Sequence, residues 1–309
     1  MRVGVVVNPA AAGAARGGSL VDVLAAAVGG DGEVVATHDL AELDRTLERF
    51  RDDGVTVLAA CGGDGTYYHV LRSAVRVWQG GELPSFVPLP GGTINNLTHS
   101  LGVGGTPASV LARVLDGLRG RSKPHRRPLT LLRVNADDYG YIVGAGLIAG
   151  FLDLYYEGRR PGPVRAAALL VALFFSNLVD GPLIRRVVPR VPARVVADGV
   201  RLPFERYTLL IASSVTHIGL GVRAFYRAGA AGGALHLLAG SSTPGQLLRK
   251  LWRFALGWPS GLDNLFDGAP ERVTVEFDEP QIFTINGELM DATTRLELER
   301  GPTVDCLIG

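Results

Sequence analysis

The strongest constraint on the fold is a regular alternation of apolar runs and helix-like segments in the first third of the chain. Four runs have the continuous apolar character of strands buried on both faces: Arg2–Asn8, Gly32–His38, Val55–Cys61 and Ser85–Leu89. The segments between them carry apolar residues at helical spacing, and Asp39 and Thr106 are suited to cap two of these helices. Such alternation predicts a parallel sheet with helices on its faces.

The organisation changes after residue 122. A basic stretch with two prolines, Gly120–Pro128, is typical of a linker. Many short strand-like runs with turn signals follow, interrupted by helical insertions at Arg165–Leu178 and Pro244–Ala255. The sequence therefore predicts an α/β domain over residues 1–122 and a β-sandwich domain over residues 123–301.

Composition excludes some classes of protein. The net charge of +1 gives no support to nucleic-acid binding. Two isolated cysteines, Cys61 and Cys306, are typical of reduced core residues in an intracellular protein. The longest apolar candidate, Ala166–Phe175, falls short of the roughly 20 residues that a membrane-spanning helix needs. We therefore expect a cytoplasmic protein.

The few lysines exclude one mode of phosphate binding. A P-loop requires a lysine directly after its glycine-rich turn, and neither Lys123 nor Lys250 has that position. Any phosphate must then be bound by backbone N–H groups, by a metal ion, or by arginines such as Arg16.

Three turns rich in glycine or small residues follow predicted strands: Asn8–Gly13, Gly62–Thr66 and Pro90–Asn96. In parallel sheets, ligands bind beyond the carboxyl ends of the strands, where these turns lie. In the second turn, three glycines surround Asp64, an arrangement that lets the backbone approach an anion. In the third, the amides of Gly91 and Gly92 and the side chains of Thr93 and Asn95 are candidate phosphate donors.

Each turn also has a simpler interpretation. Asp64 is equally compatible with a solvent-facing acid in a tight turn, and Pro90–Asn96 with a proline-glycine turn followed by an asparagine cap. The first turn is by itself compatible with a plain loop. Three nearby histidines, His69, His99 and His217, lack a second ligand at metal-like spacing and are expected to be packed or surface residues.

Together the three turns resemble the diacylglycerol kinase catalytic-domain family, which includes sphingosine, ceramide and bacterial lipid kinases. The resemblance continues through Gly144–Gly146, His217–Ala228 and Ile285–Glu288, and so covers essentially the whole chain. It implies an ATP- and Mg²⁺-dependent kinase of lipid metabolism, including phospholipid biosynthesis, that phosphorylates a hydroxyl of diacylglycerol or a sphingoid-like lipid. It also implies a site in the cleft between the domains and a last strand, residues 302–309, packed on the first domain.

The resemblance assigns roles to individual residues. It implies that Asp64 is the general base and that Glu288 lies beside the phosphates and the metal. The nucleotide-binding residues that it implies are Asn8, Pro9, Gly13, Gly62, Gly63, Gly65, Thr66, Gly91, Gly92, Thr93, Asn95 and Asn96.

The sequence departs from the family pattern at three acidic positions, which are occupied by Asn96, Asn286 and Gly232. Each departure removes a carboxylate, the ligand group that Mg²⁺ prefers, and His99 stands where the family often has arginine. Asn286-Gly287 is also a signal for a type I′ hairpin. Two alternatives therefore stay open: a catalytically weak or inactive nucleotide- or lipid-binding protein, and a soluble-substrate kinase of the NAD kinase type.

Two basic segments suggest peripheral contact with the inner face of an anionic membrane: Arg159–Arg194, around an apolar core, and Arg249–Trp258, which contains aromatic residues. The alternative for the first is a buried helix with a basic rim. The sequence leaves open the lipid acceptor, the metal ligands and their number, and whether the chain forms a homodimer.

Overall fold

The computed structural model describes residues 2–10, 18–92, 94–123, 125–157, 165, 168–169, 172–173, 176, 181–188, 190–219, 221–229 and 235–309. The chain divides into two compact units. The first comprises Met1–Leu131 together with Pro302–Gly309, and the second comprises Leu132–Gly301. The last residues of the chain therefore fall in the first unit.

The first unit is built on a parallel sheet. Its strands are β1 (Val3–Val7), β2 (Gly32–Ala36), β3 (Val57–Gly62) and β4 (Ser85–Pro90). They pair in the order β2-β1-β3-β4. Beside β4 lies the end of the chain, where Cys306 pairs in parallel with Phe86. All residues of β1 and β3 are buried, as expected for strands covered on both faces.

Five helices belong to this sheet: α1 (Gly18–Val28), α2 (Leu40–Asp52), α3 (Asp64–Val77), α4 (Asn96–Leu101) and α5 (Pro107–Leu118). The two predicted caps are confirmed. Asp39 accepts the N–H of Glu42 at 2.8 Å, and Thr106 accepts the N–H of Ser109 at 3.3 Å. The apolar faces of α1 and α5 pack with β1, β3 and β4 in one core.

The expected linker at Gly120–Pro128 becomes a strand from His125 onward. Strand β5 (His125–Val134) begins in the first unit, where Arg126 forms an ion pair with Asp305 and the Thr130 and Thr303 hydroxyls lie 3.0 Å apart. Arg126 thus pairs with the returning end of the chain, and the first unit runs to Leu131 rather than to residue 122.

The second unit is mainly antiparallel. Its strands after β5 are β6 (Asp138–Gly140), β7 (Ile142–Gly146), β8 (Val191–Ala197), β9 (Val200–Arg201), β10 (Arg206–Tyr207), β11 (Leu209–Ser213), β12 (His236–Gly240), β13 (Leu265–Gly268), β14 (Arg272–Ile285) and β15 (Glu288–Ile308). Its described helices are α6 (Leu147–Tyr156), α7 (Pro182–Val187), α8 (Pro244–Arg249) and α9 (Leu251–Leu256).

Strand β14 divides its pairing between two groups of strands. Its first half pairs with β8, and its last residues pair with β7, which continues through β11 and β12 to β13. Apolar side chains of β7 and β11 face those of β14 and β15, such as Val275 and Leu296, across a shared core. The prediction of an α/β domain followed by a β-rich domain is thus confirmed.

Two further expectations concern the apolar residues. Cys61 and Cys306 are fully buried free thiols, as predicted. Within the described ranges, no helix is long and apolar enough to cross a membrane. Most of the predicted insertion Arg165–Leu178, like much of Arg159–Arg194, lies outside the described residues.

Candidate active site

The turn from β3 into α3 places Asp64 at the first position of a helix. Gly62 ends β3, Gly63 is extended at the N-cap, and Asp64 begins the helix. A Cβ on Gly62 would lie 2.3 Å from Oγ1 of Thr66, so a larger residue does not fit without displacing that side chain. The sequence predicted a turn over Gly62–Thr66; in the structure the helix begins within this turn, two residues before Thr66, and Asp64 is therefore fixed by helical geometry.

Asn8 joins the first turn to the second. Its backbone N–H donates to the carbonyl of Cys61 at 3.0 Å, and its Nδ2 donates to Oγ1 of Thr66 at 2.9 Å. Pro9 is half-buried in the turn that follows, and Gly13 lies outside the described residues. Two predicted nucleotide-binding residues, Asn8 and Thr66, are thus in direct contact.

The second and third turns touch through their glycine backbones. The N–H of Gly91 donates to the carbonyl of Gly62 at 2.8 Å. A Cβ on Gly92 would lie 2.4 Å from Cα of Gly63, and one on Gly91 would lie 3.2 Å from Cα of Gly62. The pairs of glycines are required here because two backbones approach more closely than side chains permit.

The Asp64 carboxylate joins α3 to α4. Its Oδ2 accepts the N–H of Asn96 at 2.9 Å, and its Oδ1 accepts the N–H of Leu97 at 3.1 Å. These are among the first amides of α4, which have no acceptor within their own helix. The N-cap residue of α4, Asn95, makes no capping bond with its side chain. An acid 32 positions earlier in the chain therefore performs the capping.

Asn95 closes the third turn on itself. Its backbone is left-handed, with φ 55° and ψ 46°. Its Oδ1 accepts the N–H of Gly92 at 3.1 Å, and its Nδ2 donates to the carbonyl of the same residue at 2.8 Å. The N–H groups of Gly91 and Gly92 therefore bond within the turns and not to a phosphate as predicted, whereas the donor role of Asn95 stays a prediction because its NH₂ group has a second proton. Thr93 lies outside the described residues.

Tyr67 forms a second link between α3 and the third turn. Its buried hydroxyl donates to the carbonyl of Leu89 at 2.8 Å, one residue before the end of β4. Burial, with Asp64 and Cys61 adding to it, raises the pKa of Tyr67 well above its ordinary value. The hydroxyl therefore stays protonated and remains a donor, which holds the end of β4 against α3.

The N-terminus of α3 is the part of this arrangement suited to an anion. The first N–H groups of a helix have no intrahelical acceptor and carry partial positive charge. In α3 they belong to Asp64, Gly65 and Thr66, directly after a turn without side chains at Gly62 and Gly63. Helix N-termini after glycine turns are established binding sites for phosphate.

Asn286 has a structural role in the second unit. It lies in the turn between β14 and β15, where φ is 52° at Asn286 and 91° at Gly287, as predicted for a type I′ hairpin. Its Oδ1 accepts the N–H groups of Tyr141 and Ile142 at 2.9 and 2.8 Å. Its buried Nδ2 has no hydrogen-bond partner within the described part of the chain. The side chain fixes the turn against β7 rather than facing solvent.

Glu288 follows this turn as the half-buried first residue of β15. Tyr156 of α6 donates to the carbonyl of Gly287 at 3.3 Å. Burial, with the charge of Glu288 as the second cause, raises the pKa of Tyr156. The turn thus presents Glu288 beside a tyrosine that keeps its proton.

A buried polar cluster of the second unit gave no signal in the sequence. The Nε2 of His236, which is fully buried, lies 2.9 Å from Oδ1 of Asp267, and the hydroxyl of Tyr226 donates to the same oxygen at 3.0 Å. Burial raises the pKa of Asp267, but hydrogen bonds from His236, the Ser260 N–H and Tyr226 outweigh it, so the net shift is downward. The cluster ties β12 to β13, and its members are far apart in sequence.

Two of the three histidines near the turns contact the residue that precedes them in sequence. Nδ1 of His217 lies 2.9 Å from the hydroxyl of Thr216, and the ring of His69 lies 4.8 Å from that of Tyr68. His99 is in the last turn of α4. Across the residues that the structure covers, no group of three or more His, Cys, Asp or Glu side chains could hold a metal ion.

Comparison with known families identifies the first unit. Residues 2–124 match the family model of the diacylglycerol kinase catalytic domain, a range that contains all three turns. Over these residues the chain is similar to the diacylglycerol kinase catalytic domain family. The resemblance seen in the turns is thereby confirmed.

A curated relative and solved structures extend the comparison. The chain is 35% identical over 106 residues to "Probable lipid kinase YegS-like" from Stenotrophomonas maltophilia (strain K279a). That match covers 34% of this chain and 32% of the relative, so it spans about a third of the relative's length. A diacylglycerol kinase structure from Bacillus anthracis str. Sterne has a TM-score of 0.67 at 17% identity, covering 100% of this chain and 97% of that one.

A second structure from the same organism, named for the same enzyme, has a TM-score of 0.74 at 19% identity. It covers 100% of this chain and 97% of its own. At these identities the likeness shows a shared fold along the chain, including the β-rich second unit.

Proposed function

We propose that the protein is an ATP-dependent lipid kinase that transfers the γ-phosphoryl group of ATP to a lipid hydroxyl, with Asp64 as the general base. The observation that carries the proposal is the position of Asp64. It begins α3 beside two glycine turns in backbone contact, within a diacylglycerol kinase catalytic domain. A position in the first turn of α3, where backbone N–H groups favour an anion, supports the proposal.

The N–H groups in the first turn of α3 are the proposed donors to the phosphates of ATP. The side chains of Asn8 and Thr66, which form a hydrogen bond of 2.9 Å, lie at the same helix end. Gly91 and Gly92 contribute by keeping side chains away from the turn, since their own amides bond within the turns. This assigns the glycines a steric role and α3 the electrostatic one.

In the proposed reaction, the oxygen of the acceptor hydroxyl forms a bond to the γ-phosphorus. The bond from that phosphorus to the β–γ bridging oxygen breaks, and ADP leaves. The hydroxyl proton passes to the Asp64 carboxylate. Because both carboxylate oxygens accept N–H groups, the side chain is held as an acceptor, which is the form that a base requires. General-base assistance of this kind is typically worth ~10²–10⁴ in rate.

The proposal includes Mg²⁺. When bound, this ion would neutralise the negative charge on the phosphate oxygens. Enzymes commonly hold this ion through one or two carboxylates, substrate phosphates and water rather than in an all-protein cage. Glu288, which the family resemblance implies to lie beside the phosphates and the metal, is an acid of the type that such a site uses. Asn286 is not a candidate, because its side-chain oxygen is engaged by two backbone amides.

The acceptor class rests on the names of relatives, since the matched family and the matched structures concern diacylglycerol kinases and the curated relative is named a lipid kinase. The purified protein should be tested with labelled ATP against diacylglycerol, a sphingoid base, ceramide, NAD and sugar phosphates. We expect label only in a lipid product. Label in NAD or a sugar phosphate would identify a soluble-substrate kinase, and ATP binding without any transfer would identify a nucleotide-binding protein.

A further inference from the structure

The helices α8 and α9 of the second unit expose an unusual number of large apolar side chains. Eleven large hydrophobic residues are exposed within the described ranges, and five of them fall between residues 248 and 258. We call these five the α8–α9 patch: Leu248 (38% exposed), Leu251 (48%), Trp252 (52%), Leu256 (54%) and Trp258 (50%). Exposed apolar surface concentrated in this way marks a site of protein or membrane interaction.

The exposed side of α9 is the apolar side. A surface helix normally buries its apolar stripe and turns polar residues to the water. In α9 the buried residue is Phe254, whereas Leu251, Trp252 and Leu256 are turned outward. The helix therefore anchors itself through one side chain and presents the others to solvent.

Capping interactions fix the two helices that carry the patch. Helix α8 begins with a reciprocal capping box, in which Thr243 accepts the N–H of Gln246 at 3.3 Å and Gln246 accepts the N–H of Thr243 at 2.8 Å. Gln246 also accepts from Asn264 at 2.9 Å, outside the helix. Helix α9 ends at Gly257, in the left-handed conformation. The apolar residues are thus displayed by ordered helices.

The two tryptophans of the patch contact each other. Their rings lie edge to face with centroids 5.8 Å apart. The guanidinium of Arg253 lies 5.5 Å from the centre of the Trp252 ring and donates to the carbonyl of Pro259 at 2.6 Å. Tryptophan is favoured at the boundary between lipid and water, where its ring contacts apolar groups and its N–H contacts polar ones.

The sequence that carries the patch contains basic residues and no acidic one. The sequence from Arg206 to Leu262 contains no acidic residue. Three basic residues lie between the first and last residues of the patch: Arg249, Lys250 and Arg253. A fourth, the exposed Arg223, lies near Gly257 at the end of α9. Basic residues at a bilayer surface are attracted by anionic head groups. An apolar patch with a basic rim therefore fits an anionic membrane.

We propose that the α8–α9 patch docks on the surface of an anionic lipid bilayer, with Trp252 and Trp258 at the level of the head groups. The inference goes beyond phosphoryl transfer and does not depend on it. Docking requires neither ATP nor an intact Asp64, so each proposal can fail separately.

The test is binding of the full chain to vesicles, without nucleotide, by flotation. The vesicles are phosphatidylcholine alone or phosphatidylcholine with 30% phosphatidylglycerol. We expect binding to the anionic vesicles only, weakened by salt. Trp252→Ala with Trp258→Ala should reduce affinity by about tenfold or more, and Arg249→Gln with Lys250→Gln by roughly fivefold per residue. The matched controls Val200→Ala and Arg201→Gln, exposed in the same unit, should bind as the unaltered chain does.

A second measurement needs no variant of the patch. The chain has three tryptophans, and Trp78 is only 9% exposed. Brominated phosphatidylcholine in the anionic vesicles should quench the fluorescence of the other two. Absence of binding at low salt, binding unaffected by the tryptophan substitutions, or binding without quenching would overturn the proposal. So would a dimer that Trp252→Ala converts to a monomer, since a second copy would then be the partner of the patch.

Discussion

The carboxylate of Asp64 accepts the backbone N–H of Asn96 at 2.9 Å, across 32 positions of the sequence. With the adjacent bond to the N–H of Leu97, it caps a helix that its own N-cap residue leaves uncapped. The proposed base is therefore also a positioning residue, because it fixes the third turn relative to α3. Substitution at this position acts on the local structure as well as on chemistry.

Asp64→Asn should measurably destabilise the first unit. The amide keeps one acceptor, but its NH₂ group faces a second backbone N–H, which loses its partner. Leaving a buried donor unpaired costs about 1–3 kcal/mol. Urea unfolding followed by circular dichroism measures the change. Asp22→Asn, at an exposed position of α1, should change stability by less than about 0.5 kcal/mol. Equal stability of the two variants would show that the capping bonds contribute nothing.

Gly92→Ala should disrupt the contact between the two glycine turns. The new Cβ would lie 2.4 Å from Cα of Gly63, a backbone atom that can move only with its turn. We expect a loss of about 1–3 kcal/mol in stability and weaker binding of an ATP analogue by calorimetry. Gly104→Ala is the matched control, since nothing lies within 4 Å of its Cβ. Unchanged nucleotide affinity in Gly92→Ala would show that the contact between the two turns does not contribute to nucleotide binding.

Two tyrosines provide a matched test of the link from α3 to β4. Tyr67→Phe leaves the carbonyl of Leu89 without its buried donor and should cost about 1–3 kcal/mol. The buried hydroxyl of Tyr207 has no hydrogen-bond partner among the described residues, so Tyr207→Phe should be neutral or stabilising. The midpoint temperature of thermal unfolding, measured for both variants, tests this prediction. A Tyr207→Phe variant as unstable as Tyr67→Phe would contradict the assignment.

The two thiols should be inert in the folded protein. Cys61 and Cys306 are fully buried. Burial raises the pKa of Cys61 to about 11 and, with Asp305 adding to it, raises the pKa of Cys306 further. Because the thiolate is the reactive form, both thiols remain unreactive at pH 8. A colorimetric disulfide reagent should detect no thiol in the native chain and both after unfolding in guanidinium. Rapid reaction of a thiol in the native protein would show that β3 or β15 becomes accessible to solvent.

Much of the first unit follows from local sequence patterns. The four apolar runs predict β1 to β4 to within two residues, because a strand buried on both faces leaves a continuous apolar signal. The caps at Asp39 and Thr106 are likewise local, since each bonds to a residue three positions later. The glycine turns were placed correctly at strand ends for the same reason.

The polar partners in the site could not be predicted in this way. The bonds of Asp64 to α4 and of Asn286 to the start of β7 join residues far apart in sequence, and they depend on how the turns fold. The resemblance implied a nucleotide role for Gly91, Gly92 and Asn95, but their hydrogen bonds within the turns become visible only in the structure. Similarly, the basic residues after Gly120 suggested a linker, because the partner of Arg126, Asp305, lies at the other end of the chain.

The most direct test is the initial rate of label transfer from γ-labelled ATP to the preferred lipid acceptor, for Asp64→Asn against Asp22→Asn. It should be measured at a temperature where both variants are folded, together with their affinity for an ATP analogue. We predict that Asp22→Asn retains the rate of the unaltered chain, whereas Asp64→Asn binds nucleotide but transfers ~10²–10⁴ times more slowly. Near-native transfer by Asp64→Asn, or no transfer to any lipid by the unaltered chain, would contradict the account.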